Sequence, residues 1–262
     1  MSGYQMESIL RKEYNIQMIF TGPMTETDIE DQIKIVKNAI NEKPMAIVLA
    51  AADYKRLAPV CDEITKAGIT LVVIDSAIDL SHTHSFIATN NIEAAKQAGD
   101  EMARLIEYKG KVAIMVHVKG VSTATDRETG FRLSIEKYDQ IEILPETWVS
   151  DGDENIAYSQ TMDILSKHPD ISGIFGANEK SVMGIARAIE DMDLGGKVKL
   201  VGFDCNPEEV HFIEKGILHA VMVQKPFNMG YLGIKEAVEV SLGKKKHEDM
   251  DTGTELIRKG NL

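Results

Sequence analysis

The sequence predicts an α/β fold built on parallel sheets. Two observations carry that expectation: short apolar runs alternating with amphipathic stretches, and turn and capping residues at the joints. The apolar runs fall at 16–20, 45–50, 69–74, 111–116, 171–176, 199–203 and 218–223. Each is rich in Ile, Val and Met and lacks strict alternation, as expected of strands buried on both faces.

Between the runs lie helical patterns. Within 27–42, Ile29, Ile33, Val36 and Ile40 fall on one face at spacings of four, three and four. Capping-box pairs stand at Thr27 with Glu30, Asn90 with Glu93, Thr125 with Glu128, and Asn206 with Glu209. Pro207 follows the last cap at the first helical position, where its missing N–H costs nothing. Gly68, Gly110, Gly195, Gly196 and Gly216 stand where helices should end. Right-handed crossovers then put helices on both faces of each sheet. A barrel would need eight regular units, and the irregular stretch 77–90 breaks that rhythm, so two smaller sheets are expected.

Composition narrows the function. The 262 residues carry 44% apolar and 27% charged side chains, with a formal net charge of -12. The acidic balance would repel phosphate backbones, which argues against nucleic acid as a partner. No run approaches the roughly 18 apolar residues of a membrane span. Cys61 and Cys205 are far apart and are read as two separate thiols. Residues 1–10 lack the pattern of an export signal.

In open parallel sheets, ligands bind beyond the carboxyl ends of the strands. Asp75 follows the run 69–74, Asn178 comes two residues after 171–176, Asp204 follows 199–203, and Gln224 follows 218–223. Beyond 111–116 comes the loop 117–124, and then Arg127 in a helix start. Two carboxylates, two amides and a guanidinium suit adjacent sugar hydroxyls, which donate and accept in pairs. Taken singly, Asn178 also fits a helix cap and Asp204 a turn.

These residues also carry a resemblance. The segments GITLVVIDSAID, SFIATNNIEAAKQAGDEMA, STATDRETGF, ILSKHPDISGIFGANEKSVMGIARAI, KVKLVGFDCNPEEVHFIEKGILHAVMVQKPFNMGYLG and DTGTELIRKGNL occur in that order. They resemble the type I periplasmic binding proteins of the ribose and galactose type, the substrate-binding proteins of sugar ABC transporters. Lactose-repressor-type effector domains share the fold. The resemblance implies two Rossmann-like lobes joined by three crossings, with ligand in the cleft between them. It places the first lobe at 1–89 and 225–254, and the second at 90–224 and 255–262. By the same correspondence Asp75, Arg127, Asn178, Asp204 and Gln224 match the family's sugar-binding residues. Trp148 lies where family members place an aromatic ring over the ligand.

Two departures stand out. Asp75 is followed by Ser76 where ribose-type members carry arginine, which counts against ribose itself. The chain also starts, at 2–7, inside what the resemblance makes the first helix, so the first strand of the N-terminal lobe is expected to be missing.

Other motifs are weaker. The stretch 150–155 resembles a calcium loop but has Ile156 at the glycine position and Met162 at the bidentate glutamate position, so an acidic helix cap is expected. His82 and His84 read as solvated imidazoles, Cys205 has no histidine base at a recognisable spacing, and Lys244–Lys246 complement a helix end. No phosphate loop follows a strand, so no cofactor or metal is expected. The leading expectation is a monomeric sugar receptor serving an ABC permease, a chemoreceptor or a sensor, outside the cytoplasmic membrane. A regulator's effector domain is the alternative, and a sugar-modifying enzyme using Asp75 and Asp204 is the third reading.

Overall fold

The computed structural model describes residues 13–81, 84–244 and 246–262. The expectations for 2–7 and for His82 lie outside them. Contacts group the chain into two units: 1–89, 120–123 and 225–253 form one, and 90–119, 124–224 and 254–262 the other. The short segment 120–123, whose last two residues begin the helix Ser122–Ile135, groups with the first unit, and the rest of that helix groups with the second.

The first unit contains α1 (Ile29–Asn41), β1 (Ala46–Leu49), α2 (Ala58–Lys66), β2 (Thr70–Ile74) and β3 (Ser85–Ala88). The chain returns to it later with α8 (Pro226–Ser241) and β9 (Met250–Asp251). Its sheet is parallel, in the order β1-β2-β3-β9. Successive residues of β2 point to opposite faces. Leu71 and Val73 pack with Val36 of α1 and with Val60, Cys61 and Ile64 of α2. Val72 packs on the other face with Ile87 of β3 and Ala237 of α8. That two-sided burial explains why β2 reads as an unbroken apolar run.

The second unit contains α3 (Asn91–Leu105), β4 (Gly110–Val116), α4 (Ser122–Ile135), β5 (Ile141–Val149) and α5 (Glu154–Lys167). It continues through β6 (Ile171–Gly176), α6 (Glu179–Asp191), β7 (Lys199–Phe203), α7 (Pro207–Lys215), β8 (Leu218–Val223) and β10 (Glu255–Arg258). The strand order is β5-β4-β6-β7-β8-β10, parallel except for β10. On one face Met115, Ile174, Val182, Ile185 and Leu200 build the larger core. Phe131 of α4 stacks on Phe175 of β6 at 4.3 Å between ring centroids, and Phe203 of β7 meets Phe175 edge-on.

Local signals act largely as read. Asn206 accepts from the backbone N–H groups of Glu208 and Glu209 while Glu209 accepts from Asn206 N–H, a complete capping box. Gly216 ends α7 at φ 74°, where any side chain would be strained. Asp153 caps α5 through Asn155 N–H and Ile156 N–H, as expected for the acidic turn. The thiols of Cys61 and Cys205 are both free.

Four expectations are corrected. No strand forms at 16–20, where Ile19 is 74% and Phe20 99% exposed. The second unit supplies the reason, for there β5 reaches the sheet only through β4, which lies between it and β6. Among the described residues no strand lies beyond β1, so 16–20 has no ladder to join. The second correction concerns Thr125, which lies inside α4 because that helix begins at Ser122. Asp28, not Thr27, precedes α1, and its side chain makes no capping bond. Finally, β3 emerges within 77–90, and β5 was not read as a strand at all.

Candidate functional site

In the second unit the ends of β6, β7 and β8 meet the start of α4. Arg127 sits in the second turn of α4 and is only 3% exposed. Its guanidinium is held from four sides. Nε donates to Asn91 Oδ1 at 2.8 Å, and Nη1 donates to the carbonyl of Ala177 at 2.7 Å. Asp204 Oδ2 lies 3.8 Å from Nη1, and Cζ stands over the Phe203 ring, 4.1 Å from its centroid. A planar cation needs this combination to be buried at tolerable cost: a carboxylate, carbonyl acceptors and a ring face.

Asp204 is set by its backbone. It takes φ 70°, a left-handed conformation uncommon outside glycine, just where β7 ends. Its N–H still donates to Met222 O of β8 at 2.8 Å, so the ladder runs one residue past the strand and the carboxylate turns out of it. Gln224, just beyond β8, donates from Nε2 to Asp204 Oδ1 at 2.6 Å. Its other amide atom, Oε1, is buried with no hydrogen-bond partner among the described residues. An amide held by its NH2 with its carbonyl oxygen left bare is an acceptor awaiting a donor.

Asn178 takes an extended backbone after β6, and its Oδ1 accepts from Ser181 N–H at 3.1 Å, capping α6. The cap uses only the carbonyl oxygen; the two amide hydrogens of the side chain are not part of it. Ala177, the residue before it, supplies the carbonyl that holds Arg127. His117, in the loop after β4, is buried, and burial together with the Arg127 charge pushes its imidazole down to about 3. It is therefore neutral at physiological pH and adds no second cation beside the guanidinium.

The first unit repeats part of this arrangement. Asp75 follows β2 at φ 60°, its N–H donates to Ile87 O of β3 at 3.1 Å, and Ser76 Oγ donates to its Oδ2 at 3.0 Å. Both strand-end aspartates therefore share one local geometry: a left-handed residue tied to the neighbouring strand, its carboxylate held by an adjacent donor. Non-glycine residues held at positive φ cluster at binding sites, where the surrounding fold over-determines them.

Of the six residues singled out in the sequence, Arg127, Asp204 and Gln224 are thus joined directly and Asn178 stands one residue from their network. Asp75 has the matching place in the first unit. Trp148 is half-buried on β5 and packs against the core of the second unit. Asn91 was missed: Asn90 and Asn91 are adjacent amides, and nothing in the sequence distinguishes the helix cap from the residue that orients Arg127. Among the described residues no cluster of His, Cys, Asp and Glu is arranged to hold a metal ion.

The profile of the periplasmic binding protein domain matches residues 9–245. The chain belongs to the periplasmic binding protein family. Among curated relatives, this periplasmic binding protein is 28% identical over 229 residues to the D-allose-binding periplasmic protein of Escherichia coli, covering 84% of this chain and 73% of that protein. It is 26% identical over 266 residues to the D-ribose/D-allose-binding protein of Pseudomonas aeruginosa, covering 97% and 81%. Among solved structures it is similar to a carbohydrate transporter solute binding protein from Agrobacterium radiobacter in complex with D-arabinose, with TM-score 0.93 and 31% identity over 98% of this chain and 89% of the other. A sugar transporter from Clostridium phytofermentans is 38% identical with TM-score 0.87, covering 97% and 91%. Among the described residues no helix is long and apolar enough to cross a membrane.

Proposed function

We propose that this periplasmic binding protein captures a monosaccharide, or a similar polyhydroxylated molecule, and presents it to an ABC permease or a membrane sensor on the outer side of the cytoplasmic membrane. The observation that carries the reading is the chain Gln224–Asp204–Arg127, in which a buried amide oxygen has no donor among the described residues and stands beside a carboxylate and a guanidinium. Sugar hydroxyls supply both the missing donor and the acceptors, in pairs spaced for planar side chains. Relatives whose names or structures record D-ribose, D-allose or D-arabinose support the ligand class.

In this reading Asp204 and Gln224 accept from hydroxyls, Arg127 donates, and the amide hydrogens of Asn178 add donors. Asp75 contributes a further acceptor from the first unit, and Trp148 offers an aromatic face. The protein acts alone, as a monomer, and releases its ligand unchanged. Asp75 and Asp204 are each accounted for by hydrogen bonding, without an acid–base role.

A thermal-shift screen against pentoses, hexoses, deoxysugars and polyols tests the reading. A ligand at 100 times its dissociation constant adds about 2.7 kcal/mol to stability, a clear rise in the midpoint. The shift should vanish in Asp204→Ala. A cooperative melt that no sugar or polyol moves would count against the reading.

A further inference from the structure

Behind Asp204 lies a second carboxyl that the binding role does not use. Glu209, in the first turn of α7, is fully buried. Its Oε2 accepts from Asn206 N–H at 2.7 Å, and its Oε1 is buried with no hydrogen-bond partner among the described residues. The charged groups acting on it are Asp204, from the loop after β7, and Glu179, from the first turn of α6; the Cys205 thiol lies beside it in the same field. Arg127, the cation of the site, lies 3.8 Å from Asp204 Oδ2. An ionised glutamate here would add a third negative charge to an enclosed space, with half of its oxygen lone pairs unserved.

We propose that Glu209 is a neutral carboxylic acid and the positioning residue of the Asp204 loop, so that Asp204 is the one carboxylate of that loop presented to the ligand and ionisation of Glu209 weakens sugar binding. The inference rests on Asp204 contacting a sugar, as proposed above. In the neutral form Glu209 completes the capping box through Oε2, fixing Asn206 and with it the left-handed turn at Asp204. Its hydroxyl adds no charge to the carboxylates facing it. Burial, opposed by the Asn206 N–H and reinforced by the charges of Asp204 and Glu179, pushes the group up to about 9. Sugar capture at neutral pH then meets a loop with one compensated carboxylate, and alkaline pH takes the proton from Glu209 to solvent and leaves a second carboxylate beside Asp204.

Two measurements on wild type, Glu209→Gln and Glu209→Ala test this. The first needs no ligand. A carboxyl raised in the folded state gives stability that is present below its unfolded value of 4.5 and is lost as pH rises toward 9. In denaturant titrations from pH 5 to 8 the wild-type folding constant should therefore fall about tenfold per pH unit relative to Glu209→Gln, whose amide stays neutral. Parallel profiles would mean an ionised Glu209 and would overturn the proposal, whether or not any sugar binds. The second is sugar affinity against pH. Glu209→Gln should bind at pH 7 within about threefold of wild type and stay flat to pH 10, while wild type weakens more than about tenfold above pH 9. Glu209→Ala, without the cap, should bind more weakly at every pH. Affinity profiles that fall together in wild type and Glu209→Gln would refute the coupling to Asp204. Failure of wild type to bind any sugar would instead refute the proposed function, and the denaturation profile keeps the two failures distinct.

Discussion

Replacing Glu101 by glutamine should loosen the C-terminal strand of the second unit, with a pH signature that identifies the cause. Glu101 lies on α3 with its side chain only 3% exposed. It receives two bonds from Arg104, at 3.0 and 2.7 Å, and two from Arg258 of β10, at 2.7 and 2.9 Å. Burial alone would raise its carboxyl, but the bonds and charges of the two guanidiniums outweigh burial and hold it at about 2, against an ordinary 4.5. At about 1.36 kcal/mol per pH unit, that displacement corresponds to about 3 kcal/mol favouring the folded state. The guanidiniums are 54% and 42% exposed, so solvent screening reduces the figure to roughly 1.5–2 kcal/mol.

The sign follows from the direction. A carboxyl depressed on folding contributes stability that is complete above 4.5 and is lost as pH falls toward 2. Urea unfolding of wild type and Glu101→Gln should therefore differ by roughly 1.5–2 kcal/mol at pH 7, with less than about half of that difference left at pH 3. Equal stabilities at pH 7 would refute the clamp. A difference that persists undiminished to pH 3 would refute its ionic origin and leave only packing.

Other consequences follow from the same geometry. Arg127→Lys keeps the charge but cannot reach Asn91 Oδ1 and Ala177 O at once, so sugar affinity should fall roughly tenfold to a hundredfold with little change in far-UV circular dichroism; unchanged affinity would remove Arg127 from the site. Gly184→Ala would press a methyl group between α6 and α5, where an added Cβ stands 2.5 Å from Ala157 Cβ and 2.6 Å from Tyr158 N. It should cost about 1–3 kcal/mol in chemical denaturation, and a neutral result would show that the helices separate easily.

Legibility in the sequence followed burial. β2, β6, β7 and β8 are covered on both faces and appear as unbroken apolar runs, so the parallel sheets could be read directly. β5 could not, because it is an edge strand whose Glu142, Pro145 and Glu146 face solvent. β3 is short and starts at Ser85, whose hydroxyl donates to the buried Glu236 at 2.7 Å, a partner 151 positions away that no local pattern discloses. The run at 16–20 shows the reverse error, since its apolar residues state a preference that only a neighbouring strand can satisfy.

For the candidate site, strand-end position singled out Asp75, Asn178, Asp204 and Gln224 because the chain must leave a parallel strand at its carboxyl end. The positive φ of both aspartates, the support of Arg127 by Asn91, and the buried Glu209 depend on contacts distant in sequence. Glu209 was visible in sequence only as one half of a capping box. The residue type that caps a helix gives no hint of its charge state, which depends on Asp204 and Glu179 around it.

The measurement that bears most directly on the account is a calorimetric titration of the purified protein with the sugar selected by the screen, followed by proton NMR of the recovered sugar after prolonged incubation. The account predicts saturable one-to-one binding and a sugar recovered unchanged. Binding followed by conversion of the sugar would contradict it, because an enzyme, and not a receptor, would then occupy the strand ends around Asp204.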